Sequence, residues 1–256
     1  MHHDVVRVRI CLGMGPFTAP LVNAYLARCG ESWIVIDAGP PGSSGAILAA
    51  MERHEVAAED VGLILITHGH FDHFGGAMEL RRRLGPHARI AMHPADRPFV
   101  SGRLPSNLRA TCAAGVAPLV LGTSHMGLLY ALRQLRFWTA AELAEVIWLD
   151  EVTTGRPVDL SPRLGLEIEA ELTPGHTAGS MTLRLPRGDT FTGDIISSGF
   201  DKRPAWPLLV DDPPRILPSL QRIAAMKPTT VYPGHGRPFE GTSVIEFVEA
   251  LPAGRK

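Results

Sequence analysis

The chain has 256 residues, of which 45% are hydrophobic and 20% charged, and its formal net charge is −1. This length is enough for one large domain with a well-buried core, and the composition is ordinary for a globular enzyme. A charge near zero without a basic block gives no support to nucleic acid or an anionic membrane surface as a partner. We expect a small-molecule substrate instead.

The cysteines and the N-terminal residues indicate in which cellular compartment the protein is expected. The sequence contains three scattered cysteines and no CxxC pair, which predicts no disulfide framework and favours a reducing environment. The first ten residues, MHHDVVRVRI, lack the apolar stretch of a signal peptide, and no later run is long enough to cross a bilayer. We therefore expect a cytoplasmic protein without a membrane span.

Short strands and helices alternate along most of the chain. Before residue 94, the periodicity predicts strands over Val5–Cys11, Asn23–Ala27, Trp33–Asp37, Gly62–Thr67 and Arg89–His93, and helices over Ala46–His54 and His73–Leu84. After residue 150, it predicts strands over Leu166–Leu172, Ser180–Leu185, Thr190–Thr192 and Thr230–Tyr232, and helices over Pro214–Met226 and Thr242–Leu251. This alternation predicts the α/β class.

The stretch from about residue 94 to residue 150 breaks the alternation. Its Ala-, Leu- and Arg-rich segments, among them Ala140–Val146, predict a mostly helical insertion within a single domain that spans residues 1–256. The apolar residues from Leu128 to Trp138 could line an acyl or aromatic pocket. They could equally form the insertion's own core or the contact of a homodimer.

The most informative stretch is HGHFDH, which directly follows the apolar run VGLILIT. Alternate side chains of a strand share a face, so His68, His70 and Asp72 point to one side, and a turn into the following helix brings His73 round to them. Imidazole nitrogen and carboxylate oxygen are ligands that divalent metals accept at about 2.0–2.2 Å. Four ionisable groups left unpaired beside a core would be costly. The pattern therefore predicts a metal site.

Three further residues stand at comparable places. They are His176 in TPGHTAGS, Asp194 in FTGDI and His235 in VYPGHG. Each follows a predicted strand or lies in a tight loop beside one, which is where α/β sheets collect their functional sites. Taken singly, each has an alternative as a loop histidine or a turn-capping aspartate.

In order along the chain, and together with Asp37 of VIDAG, these motifs resemble the five successive motifs of the metallo-β-lactamase fold superfamily over roughly residues 20 to 240. The resemblance implies a four-layer αββα sandwich, with two mixed sheets face to face and helices outside. It also implies two metal ions and their ligands: His68, His70 and His176 for the first, Asp72, His73 and His235 for the second, Asp194 bridging both, and Asp37 behind them to orient the ligands.

Such a ligand set implies a dinuclear metal-dependent hydrolase. Two cations about 3.5–4 Å apart can share a water and lower its pKa toward ~7, which yields a bridging hydroxide at neutral pH. We expect this hydroxide to cleave an ester, lactone or thioester, and Asp72 to orient it and carry its proton. Zinc is the expected metal, while iron, manganese or cobalt also suit nitrogen and oxygen ligands.

Differences between this sequence and particular branches of the superfamily reduce the number of possible activities. A bridging Asp194 argues against a true β-lactamase, and the short sequence after His235 argues against hydroxyacylglutathione hydrolases, which carry a helical C-terminal domain. The chain most resembles the group of lactonases, thioesterases and esterases. Open alternatives are a mononuclear iron sulfur dioxygenase, a phosphodiesterase or β-lactamase activity on the same fold, and a non-catalytic binding protein.

Three residues are candidates for substrate contact. His93 follows a predicted strand near the expected site, and Phe200 and Trp206 lie in the segment after Asp194. The alternatives are that His93 is a hydrogen-bonded core histidine and that the two aromatic side chains pack against the insertion.

Overall fold

The computed structural model describes residues 4–11, 20–102, 137–199, 201–207 and 209–251. In these residues the chain forms two six-stranded sheets and one two-stranded sheet. The first sheet keeps the strands in chain order: β1 Val5–Cys11, β2 Pro20–Cys29, β3 Ser32–Ile36, β4 Val61–Leu65, β5 Arg89–Met92 and β6 Val146–Trp148. Strands β1 to β3 pair antiparallel and β3 to β6 pair parallel, so the sheet is mixed.

The second sheet holds the later strands. They are β7 Val158–Asp159, β8 Glu169–Leu172, β9 Met181–Arg184, β10 Asp189–Gly193, β13 Thr230–Pro233 and β14 Phe239–Glu240, in the order β14-β13-β10-β9-β8-β7. Only the pairing between β10 and β13 is parallel among the described strands of this sheet. Strands β11 Ser197–Ser198 and β12 Pro204–Ala205 form the small hairpin sheet.

Helices connect and cover the strands. The α-helices are α1 Ser44–Arg53, α2 Phe71–Phe74, α3 Ala77–Leu84, α4 Arg97–Val100, α5 Ala140–Ala144, α6 Ser161–Leu164, α7 Pro213–Ala225 and α8 Gly241–Ala250. Two 3₁₀ turns, Ala58–Asp60 and Pro94–Asp96, precede β4 and α4. The helix α7 supplies the crossover that the parallel pair β10 and β13 requires.

Among the described residues, three apolar clusters define the layers. In β3, Val35 packs in a cluster with α1 and α3, whereas Ile34 and Ile36 pack in a second cluster with residues of the other sheet. This division follows from the alternation of side chains along a strand. The third cluster packs α7 and α8 against the outer face of β13. The order helix, sheet, sheet, helix confirms the predicted αββα sandwich.

Apart from shifted ends and short elements that were not predicted, such as α4, α6 and the hairpin of β11 and β12, the observed elements differ from the predicted ones in two places. The helix predicted over His73–Leu84 is divided into α2 and α3 at two glycines. A Cβ on Gly75 would lie 2.4 Å from the carbonyl oxygen of Phe71, and one on Gly76 would lie 2.4 Å from that of Ala38, so the chain turns where only glycine fits.

The second difference lies at the end of the predicted insertion. The helix predicted over Ala140–Val146 ends at Ala144, and Val146 begins β6, which pairs with β5 and closes one edge of the first sheet. The helical pattern hid this strand because it is only three residues long. The prediction for residues 103–136 of the insertion lies outside the described residues.

None of the described helices combines the length and the hydropathy that crossing a bilayer requires.

Candidate metal centre

The sequence-predicted ligands meet where strands of both sheets end. His68 and His70 follow β4 of the first sheet, and α2 carries Asp72 and His73. From the second sheet, the loop between β8 and β9 carries His176, Asp194 follows β10, and His235 follows β13. A hydrogen bond from the amide of Met181 to the carbonyl of Thr67, 2.9 Å long, joins the two sheets at this edge.

Three histidines form a first cluster, which we call the three-histidine group: His68, His70 and His176. The Nε2 atom of His176 lies 3.1 Å from Nε2 of His68 and 2.8 Å from Nδ1 of His70. All three side chains are buried. Three ring nitrogens that converge at such short range are an arrangement suited to one cation.

A second cluster, the mixed group, consists of Asp72, His73 and His235. The Oδ2 atom of Asp72 lies 3.8 Å from Nε2 of His73 and 3.4 Å from Nε2 of His235. His73 is fully buried, whereas the other two side chains are partly exposed. This cluster offers one carboxylate and two imidazoles to a cation.

Asp194 lies between the two groups and faces both. Its Oδ2 is 3.5 Å from Nε2 of His176 and 3.0 Å from Nε2 of His235. Its Oδ1 is 3.4 Å from Nε2 of His73. A carboxylate in this position can give one oxygen to each of two cations.

Burial keeps the three-histidine group neutral. Removal from solvent lowers the pKa of His68 well below its usual value and that of His70 to about 3, with the neighbouring histidines acting in the same direction. Burial also lowers the pKa of His176, against the pull of Asp194. These rings therefore carry free lone pairs at neutral pH, which is the form that binds a metal.

The mixed group is charged instead. Burial alone would lower the pKa of His73 and His235, but the carboxylates of Asp194 and Asp72 outweigh it, so that the pKa of His73 is raised well above its usual value and that of His235 to about 10. Burial would conversely raise the pKa of Asp72 and Asp194, but the adjacent histidines hold both pKa values below their usual range. The positive charge of these two histidines thus balances the two carboxylates, as a bound dication would.

The residues fit a pair of cations. The Nε2 of His73 and the Oδ1 of Asp194 are buried and lie 3.4 Å from each other, and neither has a hydrogen-bond partner within the described chain. Buried polar atoms without a hydrogen bond are costly, and a cation bound to both would satisfy them. A Cβ on Gly234 would lie 2.1 Å from Oδ1 of Asp194 and 2.7 Å from Cε1 of His73, so this backbone can pass beside the carboxylate only as glycine.

Asp37 supports ligands of both groups. Its Oδ2 lies 2.8 Å from Nδ1 of His73, and its Oδ1 accepts a 2.8 Å hydrogen bond from the amide of Thr67. The Thr67 hydroxyl lies 2.9 Å from Oδ2 of Asp37 and 3.1 Å from Nδ1 of His68. When this hydroxyl donates to Asp37, its oxygen accepts from His68, and both histidines turn Nε2 toward the cluster.

The third buried histidine is fixed in the same manner. Nδ1 of His176 lies 2.5 Å from the carbonyl oxygen of Leu209, so Nδ1 carries the proton that it donates, and Nε2 faces the other ligands.

Two buried polar residues near the site escaped the sequence analysis. Asp96, with 0% exposure, ends the 3₁₀ turn after β5, and its carboxylate accepts hydrogen bonds from Gly69, Thr177 and Gly179. Burial raises its pKa to about 6, although these donors pull it down, so it is ionised at neutral pH. Asn23, in the mostly apolar β2, donates to the loop that carries His235. The sequence shows only that Asn23 is a polar residue within a strand and that Asp96 lies in the turn after one, which does not identify the distant segments that they contact.

The candidates for substrate contact lie in different surroundings. Nδ1 of His93 accepts from the amide of Ala95, and its Nε2 lies 3.2 Å from the carbonyl oxygen of Val152, which favours the hydrogen-bonded core histidine. Trp206 packs against the third apolar cluster. Phe200 lies outside the described residues, as do Leu128 to Arg136 of the apolar stretch in the predicted insertion. Trp138, at the end of that stretch, is buried in the first cluster.

Comparison with known proteins agrees with this arrangement. The family description "Metallo-beta-lactamase superfamily" matches residues 18–235. The probable metallo-hydrolase YflN of Bacillus subtilis (strain 168) is 24% identical over 245 residues, which cover 90% of this chain and 86% of that protein. Metallo-beta-lactamase domain-containing protein 1 of Mus musculus is 28% identical over 212 residues, which cover 80% of this chain but only 60% of the mouse protein.

Solved structures share the fold. An archaeal metallo-beta-lactamase superfamily protein from Sulfolobus tokodaii has a TM-score of 0.66 at 19% identity, covering 96% of this chain and 85% of its own. The protein TTHA1623, solved in a di-iron-bound form, has a TM-score of 0.56 at 24% identity, covering 91% and 95%. With the family match extending over most of its length, this chain belongs to the metallo-beta-lactamase superfamily.

Proposed function

We propose that the protein is a dinuclear metal-dependent hydrolase that cleaves an ester, lactone or thioester bond of a small molecule. The observation that carries the proposal is the place of Asp194, whose two carboxylate oxygens face the three-histidine group and the mixed group. Two bound divalent cations would supply Lewis acidity and an activated water for attack on the substrate carbonyl. The similarity to a probable metallo-hydrolase supports the same reaction type.

Residues of this chain would have separate roles in the reaction. Asp72 is partly open to solvent, and its lowered pKa keeps it ionised, so it can orient a water molecule and accept its proton. Asp37 and Thr67 hold the rings of His73 and His68 in their orientation. The almost complete burial of the three-histidine group keeps bulk water away from one side of the reacting centre.

Zinc is the proposed metal, because five imidazoles and two carboxylates form an ordinary zinc ligand set. Iron, manganese and cobalt bind the same atoms, and the di-iron form of one structural relative keeps iron in consideration. The proposed setting is cytoplasmic, and a homodimer remains a proposal that follows from the apolar content of the predicted insertion alone.

The experiment that tests this proposal is a metal-reconstituted activity screen. Purified protein is analysed for metal before any chelation, then depleted, reloaded with zinc, iron or manganese, and assayed on lactones, thioesters, aryl esters, phosphodiesters and β-lactams. We expect close to two metal ions per chain and turnover of at least one carbonyl ester class.

Three other outcomes would contradict the proposal in different ways. A single iron without hydrolysis, together with oxygen consumption on a persulfide, would assign the sulfur dioxygenase alternative. Turnover of phosphodiesters or β-lactams alone would replace the substrate class. Protein that binds no transition metal would remove the metal-dependent mechanism altogether.

A further inference from the structure

We propose that Asp96 and Asn23 are positioning residues, each of which sets the geometry of one half of the metal centre. Asp96 fixes the three-histidine group, and Asn23 fixes the mixed group through His235. The inference rests on the proposed function, because it concerns the same cations.

Asp96 joins the two loops that carry the three histidines. Its Oδ2 accepts 2.7 Å hydrogen bonds from the amide of Gly69 and the hydroxyl of Thr177, and its Oδ1 accepts one of 2.7 Å from the amide of Gly179. Gly69 stands between His68 and His70, and Thr177 follows His176. One carboxylate therefore connects two loops that are more than 100 positions apart in the sequence.

Two glycines pack closely against Asp96. A Cβ on Gly179 would lie 2.6 Å from Cγ of Asp96, and one on Gly69 would lie 2.9 Å from its Cβ. Such contacts are shorter than real Cβ atoms tolerate, so both loops approach the carboxylate as bare backbone. His93 holds the turn that presents Asp96, since its two ring nitrogens contact Ala95 and Val152.

Asn23 contacts the loop that carries His235, but it donates hydrogen bonds where Asp96 accepts them. Its side chain is 4% exposed, and its amide group donates to the carbonyls of Pro233 and Gly236, at 2.9 and 3.0 Å. Its backbone amide donates to the carbonyl of Gly234 at 2.8 Å. Three hydrogen bonds thus enclose His235 on both sides, and the hydroxyl of Tyr25 adds a fourth to Pro233 at 2.6 Å.

Asp96 and Asn23 have opposite hydrogen-bonding roles, which isosteric substitutions can test. Asp96 accepts from N–H and O–H donors, so Asp96→Asn keeps the shape but presents its amide hydrogens to donors. Asn23 donates to carbonyls, so Asn23→Asp presents a carboxylate to acceptors. Each change reverses hydrogen bonds beside one ligand group and leaves every proposed ligand in place.

The test is a titration of metal-depleted full-length protein with Co²⁺ against a competing chelator, followed by the visible absorption that reports cobalt coordination. His70→Ala and His235→Ala serve as references, because each removes a ligand from one group and so identifies its binding step. We expect Asp96→Asn to weaken the step of the three-histidine group by about 10–100-fold and Asn23→Asp to weaken that of the mixed group by a similar factor.

Glu171→Gln is the matched control for a buried carboxylate. Glu171 is 3% exposed and accepts from Gly155 and Arg222 rather than from a ligand loop. We expect this change to lower thermal stability without a selective shift of either cobalt step. Should the isosteric variants fail to fold, Thr177→Val and Tyr25→Phe each remove one of the same hydrogen bonds and should give smaller shifts in the same steps.

The outcomes separate the inference from the proposed function. Wild-type protein that takes up no Co²⁺ would overturn the proposed metal-dependent function. Wild-type protein that binds two ions, with variants that weaken both steps equally or neither, would overturn the positioning roles alone. A selective loss of one step in each variant, with its absorption band altered, supports them.

Discussion

The three-histidine group and the mixed group lie side by side and share Asp194, yet they prepare for a cation in opposite ways. Burial leaves the first group neutral, with the pKa of His70 lowered to about 3. Carboxylates leave the second group protonated, with the pKa of His235 raised to about 10. The difference teaches that a metal site can be kept ready either by excluding protons or by holding protons that the metal displaces.

The most severe way to break this comparison is to remove the residue that the groups share. Asp194→Ala deprives both groups of a ligand, and the loss of metal should reduce turnover by at least about 10³-fold. Metal analysis and steady-state kinetics measure the two effects together. Asp189→Ala is the control, since Asp189 begins the same strand and contacts Tyr232 instead. Full activity of Asp194→Ala would exclude a shared ligand.

The pH dependence of metal affinity sharpens the comparison. His73 and His235 have raised pKa values, so both are protonated at neutral pH, and a metal must displace two protons from the mixed group. Affinity there should fall by about tenfold per pH unit for each displaced proton as the pH drops from 8 to 6. The three-histidine group, whose pKa values are lowered, should hardly respond in this range. Cobalt titrations at several pH values measure both slopes, and equal slopes would contradict the assignment.

A smaller effect should distinguish direct from indirect support. Asp37 contacts His73 itself but reaches His68 only through Thr67. Asp37→Asn keeps the shape and suits the left-handed backbone of this residue, whose φ is 58°. We expect metal affinity to fall by about 10–100-fold, more in the mixed group than in the three-histidine group. A larger loss in the three-histidine group would contradict this order of support.

The smallest expected effect concerns a single hydroxyl. Thr67→Val removes the acceptor of the His68 ring proton at constant volume, which should cost the three-histidine group about fivefold in affinity, the value of one net hydrogen bond of about 1 kcal/mol. Thr67→Ser keeps the hydroxyl and is the matched control. If both variants lose the same affinity, the methyl packing of Thr67 matters rather than its hydrogen bond.

The alternation in strands such as β1 predicted their inner and outer faces and the α/β class, whereas the four layers were implied by the resemblance of the motifs to the superfamily. The ligand set was likewise implied by the resemblance, and five of the seven proposed ligands follow strands or lie in a loop between two of them, where strand ends share an edge. Short elements such as β6, Val146–Trp148, were missed, since three residues are too few to show a period.

The supporting residues were harder to find than the ligands. Asp96 sits in the sequence HPAD and Asn23 in the sequence LVNAYL, and neither is next to a ligand in the chain. Their importance comes from hydrogen bonds to segments 27 to 213 positions away, which no local pattern records. Thr67 is the exception, because it directly precedes His68 and its position alone could have marked it.

Each ligand group draws on both halves of the sandwich, since His68, His70, Asp72 and His73 lie in the segment that follows β4 of the first sheet, and His176, Asp194 and His235 lie beside strands of the second. An ion held by either group would therefore connect the two sheets in addition to its proposed role in the reaction. The layers cannot part at this edge without letting go of the ion, so tight binding should slow unfolding and proteolysis, and chelation should speed both.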